Sequence, residues 1–93
     1  MIEREDGRLR VTVPMVMANA RGLLEAGRSA LGQGGEVIDL GAVAEADSSA
    51  LAVMLGWLRT AEARGSSIVF ANLPVGVRSL ADLYGVAELL SVA

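Results

Sequence analysis

The sequence predicts an α/β fold in which the strands of a mixed sheet alternate along the chain with helices. Residues 36–40 and 67–71 are short runs rich in β-branched and aromatic side chains, which is typical of inner strands. Each run is followed by a segment with helical spacing, and a helical crossover joins neighbouring strands that run parallel. A chain of 93 residues has the size of one domain, so residues 1–93 are predicted to form a single domain.

The beginning of the chain predicts a β-hairpin that adds an antiparallel pair to this sheet. Asp6 and Gly7 together favour the positive φ angles of a tight turn, and apolar residues alternate with polar ones after it. Pro14 lacks the amide hydrogen that a strand ladder needs, so we expect the second strand to end there. The apolar residues predicted to lie in the sheet are Val11, Val13, Val37, Ile38, Val69 and Phe70.

Three segments have the spacing of helices that pack one face against a sheet. Residues 19–31 place leucines and alanines on one stripe, which also contains Gly27. Residues 48–64 form the strongest pattern, and Gly65 stops this helix. A short third helix precedes Gly85, which occupies the position where a left-handed residue often ends a helix.

The helix predicted for residues 48–64 sorts into two faces when its residues are placed at intervals of about 100°. The face predicted to lie on the sheet contains Ala50, Met54, Trp57, Leu58 and Ala61. The opposite face is small and flat, and it contains Ser49, Ala52, Gly56, Arg59, Thr60 and Ala63. Solvated helix faces usually bear long charged side chains, so the flat face favours contact with another protein.

Gly56 is the sharpest feature of the flat face. A glycine in a helix interior costs roughly 1 kcal/mol relative to alanine, so its presence requires a reason. We expect that nothing inside the domain needs this space and that a partner backbone approaches closely here. The alternative is that Gly56 is merely tolerated in a helix rich in alanine.

Asp47 and Ser48 stand where the cap of this helix belongs, and their oxygens can accept hydrogen bonds from free amides of the first turn. The simplest interpretation of both residues is therefore structural. A hydroxyl at a helix N-terminus is also a favourable phosphate acceptor, since the helix dipole and the free amides stabilise the added anion. Glu45 and Asp47 would oppose that charge, and the physics of the sequence leaves both interpretations open.

The composition argues against an enzyme and against a bound metal or nucleotide. The chain contains no histidine, cysteine or lysine, which removes the commonest general base, the soft-metal ligands and the Schiff-base former. The GQGGE stretch precedes a strand, whereas phosphate-binding glycine loops follow one. The net charge is −3 and the arginines are scattered, which disfavours nucleic acid as a partner. No apolar run is long enough to cross a bilayer, so no insertion into the membrane is expected.

The stretch VIDLGAVAEADSSALAVML resembles the signature of STAS domains, which occur in anti-sigma-factor antagonists and in the cytoplasmic tails of sulfate transporters. In that family a strand ending in Asp-Leu leads through a loop to Asp-Ser-Ser/Thr-Gly at a helix start. The matching positions here are Asp39, Leu40, Asp47, Ser48 and Ser49, with Ala50 in place of the usual glycine. The resemblance implies a four- to five-stranded mixed sheet with helices packed mainly on one side.

The second half of the chain is similar to the MlaB-type STAS subunits of bacterial Mla phospholipid-transport ABC complexes. The similarity rests on Trp57-Leu58-Arg59, on Asn72-Leu73-Pro74 and on residues 80–86. It implies a non-catalytic, cytoplasmic accessory subunit, peripheral to the inner membrane, which binds and supports the ATPase subunit of a complex that maintains outer-membrane lipid asymmetry. The alternative is an anti-sigma-factor antagonist that a kinase switches by phosphorylating Ser48 or Ser49.

The resemblance and the helix pattern place the partner-binding site at the start of the helix predicted for residues 48–64. The residues predicted to bind the ATPase subunit are Asp47, Ser48, Ser49, Ala52, Gly56 and Arg59. Asp47 is expected to fix the loop that presents the other five. No catalytic residue, cofactor or metal belongs to this prediction.

Overall fold

The structure is a computed structural model, and it describes residues 1–32, 35–90 and residue 92. Gln33 and Gly34, in the glycine-rich stretch before the predicted inner strand, lie outside the described residues. Two strands come first, β1 (Ile2–Glu5) and β2 (Arg8–Val11), and the helix α1 (Met17–Ala30) follows them. The later elements are β3 (Glu36–Asp39), α2 (Ser49–Ala63), β4 (Ile68–Ala71), α3 (Val75–Leu83) and a 3₁₀ turn (Ala87–Leu89).

The four described strands form one sheet in the order β1-β2-β3-β4. β1 and β2 are antiparallel, and Asp6 and Gly7 in the turn between them have φ angles of 51° and 76°. β2 pairs with β3, and β3 with β4, in parallel, so that Ile38 lies between Leu9 and Phe70. The predicted hairpin and the predicted parallel neighbours are both confirmed.

The second strand is shorter than the sequence predicts. β2 ends at Val11, and Val13 is half-buried in a bend beyond the strand, so its predicted place in the sheet is wrong. The chain turns away here to pair with the loop before α2. The amide of Met15 donates to the carbonyl oxygen of Glu45 at 2.9 Å, and the amide of Asp47 donates to the carbonyl oxygen of Met15 at 3.1 Å. Because this backbone is engaged with the loop, the strand ends before the proline is reached.

The helices cover one face of the sheet, and the core lies between the two layers. In β2, Leu9 and Val11 are buried, whereas the alternating residues Arg8 and Arg10 are exposed on the other face. Buried residues from β3 and β4 continue the covered face across the sheet. This is the architecture that the resemblance implies, with four strands in the described part of the chain.

The burial of α2 confirms the orientation predicted for this helix. Met54 and Trp57 have no exposed surface, and Ala52 on the opposite face is exposed. The indole Nε1–H of Trp57 donates to the carbonyl oxygen of Leu23 in α1 at 3.1 Å, so the ring is buried with its polar atom satisfied. Leu58 is only half-buried, because it lies at an edge of α2 near the 3₁₀ turn.

Gly56 makes room for a neighbour inside the domain, so the expectation that nothing inside needs its space is wrong. A β-carbon at position 56 would lie 2.6 Å from Cδ1 of Leu24 in α1. Gly27 of α1 has the same role, since a β-carbon there would overlap the indole ring of Trp57. The two glycines let α1 and α2 approach each other closely. A close neighbour requires a glycine at position 56 whether that neighbour is α1 or a helix of another protein. The sequence therefore did not reveal which of the two it is.

Candidate partner-binding site

The carboxylate of Asp47 joins the first turns of two helices. Its Oδ1 accepts hydrogen bonds from the backbone amide of Ser49, at 2.8 Å, and from the Ser49 hydroxyl. Its Oδ2 accepts a hydrogen bond from the backbone amide of Met17, the first residue of α1, at 3.0 Å. The free amides at a helix start need acceptors, and one side chain supplies them for α1 and α2 together.

These hydrogen bonds also set the charge of Asp47. The Ser49 hydroxyl, followed by the backbone amides of Met17 and Ser49, holds the pKa of the carboxyl below its ordinary value of 3.8. Each donor stabilises the ionised form, because only the carboxylate can accept all of these bonds. The group is therefore negatively charged at neutral pH, and it lies at the positive ends of two helix dipoles.

Ser48 is not the cap that the sequence predicts. Its backbone is already helical, with φ −62° and ψ −21°, and its side chain makes no capping hydrogen bond. The preceding residue, Asp47, performs that role through its carboxylate. Ser48 thus contributes only its carbonyl oxygen, which accepts from the amide of Leu51 at 3.2 Å, while its side chain faces solvent.

The structure places the predicted site residues in two groups. Ser48, Ala52 and Arg59 are exposed on the outward side of α2. Ser49 and Gly56 are half-buried, and helical spacing puts them on the edge that borders α1. Asp47 is half-buried and accepts hydrogen bonds from the first turn, so the first group is the most exposed of the predicted residues.

Met17 belongs to the same surface, and the sequence analysis missed it. Its backbone amide is held by Asp47 next to the start of α2, and the residue is 76% exposed. Methionine is more often buried than exposed in proteins, and no signal in the sequence marks this one as exposed. We call the exposed set of Met17, Ser48, Ala52 and Arg59 the docking face, after the role that we propose for it below.

Asp39, the first acidic residue of the STAS-like signature, has a structural role. Its Oδ1 accepts hydrogen bonds from the Gly41 amide at 2.8 Å and from Asn72 Nδ2 at 3.0 Å, and Arg8 lies 3.5 Å from its Oδ2. These contacts, with the Asn72 hydrogen bond as the largest cause, hold the pKa of Asp39 below its ordinary value. The carboxylate therefore ties the end of β3 to the residue after β4 and shapes the loop that leads to α2.

A shallow depression of about 260 Å³ lies on the open face of the sheet and is lined by charged side chains. Arg8 faces Asp39, and Arg10 lies 3.6 Å from Glu5, so both arginines already have carboxylates beside them. They are not free for an anionic ligand. Within residues 1–32, 35–90 and 92, no three potential metal ligands come together, and no helix is long and apolar enough to cross a membrane.

These features define a small α/β domain that presents the start of a helix at its surface. A family model described as "Mlab, STAS domain" matches residues 1–91, and the chain therefore belongs to the STAS domain family. STAS domains are generally non-catalytic regulatory domains that interact with partner proteins, including transporters.

Solved structures share this fold over most of the chain. A Thermotoga maritima protein, provisionally assigned as an anti-sigma factor antagonist, is 14% identical, with a TM-score of 0.73 over 99% of this chain and 83% of its own. The anti-sigma factor antagonist SpoIIAA, in its unphosphorylated form, is 17% identical, with a TM-score of 0.72 over 100% and 86%. A sulfate transporter family protein from Wolinella succinogenes is 14% identical, with a TM-score of 0.68 over 89% and 71%. No curated protein sequence matches the chain.

Proposed function

We propose that this protein is a non-catalytic accessory subunit that binds and supports the ATPase of an Mla-type phospholipid-transport ABC complex, on the cytoplasmic side of the inner membrane. The observation that carries the proposal is the docking face at the start of α2. Its serine and alanine are small, so the backbone of a partner can approach the helix closely. The family model that bears the MlaB description supports the choice of partner.

Asp47 gives the docking face a fixed shape before any partner arrives. It holds the first residues of α1 and α2 at one carboxylate, with amide-to-oxygen distances of 3.0 and 2.8 Å. Binding to a preorganised surface loses less conformational entropy than binding to a mobile one. Asp47 therefore supports the partner complex indirectly, by positioning Met17 and Ser48, and needs no contact of its own with the ATPase.

Two side chains indicate what the partner surface must contain. Met17 is 76% exposed, and its full burial by a partner would contribute roughly 1.5–3 kcal/mol through the hydrophobic effect. Arg59 is exposed at the other end of the docking face, and it forms no ion pair among the described residues. The ATPase should therefore offer an apolar pocket for Met17 and a carboxylate near Arg59.

The identity of the partner can be tested by purifying the protein from native membranes and identifying what remains bound. Recovery of an ABC ATPase together with the other subunits of a lipid-transport complex is the expected result. Recovery of a soluble kinase with no ATPase would contradict the proposal and support a signalling role.

The docking face can be tested by a pull-down of the ATPase with Ala52→Glu and its matched control Ala63→Glu. Both alanines are exposed on α2, but Ala63 lies at the other end of the helix, about 16 Å away along its axis. We expect Ala52→Glu to lose the ATPase, while the control binds as the wild type does and both keep the wild-type melting temperature. Equal binding by the two variants would place the ATPase elsewhere on the domain.

A second function, an anti-sigma-factor antagonist switched by phosphorylation, is favoured by one observation. Ser48 has an exposed side chain in the first turn of α2 and does not use its hydroxyl for capping. A kinase would transfer the γ-phosphoryl group of ATP to this oxygen, releasing ADP and the hydroxyl proton. Ser49 is the poorer acceptor, because its hydroxyl is engaged with Asp47 and a phosphate there would meet that carboxylate.

The two functions predict different effects of modification at Ser48. Intact-mass measurement on protein from its native cells should find no phosphate if the accessory role is correct, and a stoichiometric phosphate if the protein is a switch. Ser48→Asp should weaken ATPase binding by adding a charge to the docking face, whereas the control Ser79→Asp, at an exposed position on α3, should not. Phosphorylation found at Ser49 alone would contradict the assignment of Ser48 as the acceptor.

A further inference from the structure

A groove runs along the edge of α2 that lies away from α1. It has a volume of about 370 Å³ and is lined by Leu55, Leu58, Arg59, Glu62 and Leu89. Three of these residues also line an adjoining depression of about 290 Å³, which continues past Ala61 to the start of β4. Helix α2 forms one wall of this continuous channel, and the 3₁₀ turn that carries Leu89 forms the other.

The groove is apolar at its base and open to solvent. Leu55 and Leu58 are half-buried on α2, and Leu89 on the facing wall is 61% exposed. Contact of these leucines with water is unfavourable, and burial against another apolar surface would relieve it. Leu89 protrudes from one wall, and the apolar groove beside it could receive a leucine of the same kind from another molecule.

One charge of each sign lies at the rim of this groove. Arg59 and Glu62 are three residues apart on α2, both are exposed, and neither forms an ion pair among the residues that the structure describes. In a twofold dimer, a residue of one sign can contact the residue of opposite sign on the second copy, and the reverse contact then forms by symmetry. In such an arrangement Arg59 of each copy faces Glu62 of the partner subunit.

We propose that the groove is a self-association site, in which two copies of this chain pair through a twofold axis. Leu89 of each copy enters the groove of the other, and the two Arg59–Glu62 contacts fix the register. A standard stable interface buries about 800 Å² on each partner, and this domain exposes 5141 Å² in total, so such an interface would cover a large share of it. Only five of the described residues line the groove, whereas a standard interface contains about 20–30 residues on each side, so we expect a weak dimer that depends on concentration.

The proposal does not rest on the identity of the ATPase partner, and it can be tested on the purified protein by sedimentation velocity over a wide range of concentration. The wild type should show a reversible monomer–dimer equilibrium. Leu89→Ser should abolish dimer formation, and its matched control Leu83→Ser, at a 76% exposed leucine on α3 that does not line the groove, should leave the equilibrium unchanged. A monomer at every concentration, or an unchanged dimer with Leu89→Ser, would overturn the proposal.

Exchanging the charges of Arg59 and Glu62 tests how the two copies are aligned in the dimer, without removing apolar surface. Arg59→Glu alone and Glu62→Arg alone each place like charges opposite one another, and each should weaken the dimer roughly tenfold. The double variant Arg59→Glu/Glu62→Arg restores both opposite-charge contacts and should recover the wild-type dissociation constant. Failure of the double variant to recover would reject the pairing of Arg59 with Glu62. Arg59 also belongs to the docking face, so the charge variants are measured for dimer formation only. Leu89→Ser leaves the docking face unchanged, and ATPase binding by this variant therefore separates failure of the dimer from failure of the accessory function.

Discussion

Helix α2 is bordered by α1 on one edge and by α3 with the 3₁₀ turn on the other, and the two edges are filled differently. Against α1, Leu24 lies over Gly56 and the indole ring of Trp57 lies over Gly27, with a hydrogen bond from the ring to the α1 backbone. At the other edge, half-buried leucines of α2 face an exposed leucine, and a groove of about 370 Å³ remains between them.

The difference shows what a glycine does between packed helices. Where a large side chain faces a glycine, the two backbones approach until the side chain fills the space, and dense packing results. Where large side chains face each other, they hold the backbones apart and leave a channel. The first edge therefore supplies stability, and the second leaves a surface available for association.

The largest expected effect is that of Trp57→Ala at the filled edge. Removal of a fully buried tryptophan, with the loss of its hydrogen bond to Leu23, should lower the free energy of unfolding by about 3–5 kcal/mol. Leu58→Ala, at the half-buried groove edge of the same helix, should cost about 1–2 kcal/mol, less than a fully buried leucine does. Urea unfolding followed by circular dichroism measures both. Equal losses of unfolding free energy in the two variants would mean that the two edges of α2 contribute equally to stability.

Gly27→Ala should have the next largest effect, because the added methyl group overlaps a rigid indole ring. Overpacking of this kind costs about 1–3 kcal/mol. Gly76→Ala in α3 is the matched control, since a β-carbon there meets no atom within 4 Å. The control should gain up to about 1 kcal/mol from the higher helix propensity of alanine. Thermal melts of the pair should therefore shift in opposite directions, and a stabilised Gly27→Ala would show that α1 and α2 are not in close contact.

A smaller effect, dependent on pH, is expected at the filled edge, where Asp47 joins the starts of α1 and α2. Its pKa is lowered in the folded state, so the carboxylate stabilises the fold above the ordinary pKa of 3.8, and this contribution is lost as the pH falls through the lowered value. Asp47→Asn should therefore show a shallower loss of unfolding free energy below about pH 4 than the wild type. The pH dependence of unfolding free energy that remains in Asp47→Asn should come from Glu36 and Asp39, whose pKa values are also lowered. Identical pH profiles for the two proteins would mean that the hydrogen bonds of Asp47 do not persist in solution.

The smallest expected effect is that of Gly56→Ala. The atom that a β-carbon would meet is Cδ1 of Leu24, the end of a flexible side chain that can rotate away, whereas the ring at Gly27 cannot. The strain and the gain in helix propensity should nearly cancel, so the change in unfolding free energy should stay within about 1 kcal/mol. If Gly56→Ala lost as much unfolding free energy as Gly27→Ala does, the flexibility of the Leu24 side chain would not explain the effect of the added methyl group.

Much of the fold could be predicted because it depends on local spacing. The Asp6-Gly7 turn, the parallel strands and the burial of Met54 and Trp57 follow from periods and turn residues that lie close together in the chain. The candidate site was only partly predictable. Its position at the start of α2 follows from the signature around Asp47, but the position of Met17 beside it depends on a contact between residues 30 positions apart. The engagement of Ser49 is local, with Asp47 two residues before it, and the spacing of the sequence did not choose between Asp47 and Ser48 as the cap.

Periodicity was enough to predict which segments are strands and helices and which face of α2 lies on the sheet, because it acts within a single element. The roles of Gly56 and Ser48 depend instead on how the elements pack against one another. Glycine at position 56 signals a close neighbour without identifying it, and the neighbour is Leu24 of α1, which folding brings across α2. Two adjacent residues could have capped α2, and the position of the α1 start relative to the loop gives that role to Asp47, which leaves the hydroxyl of Ser48 at the surface.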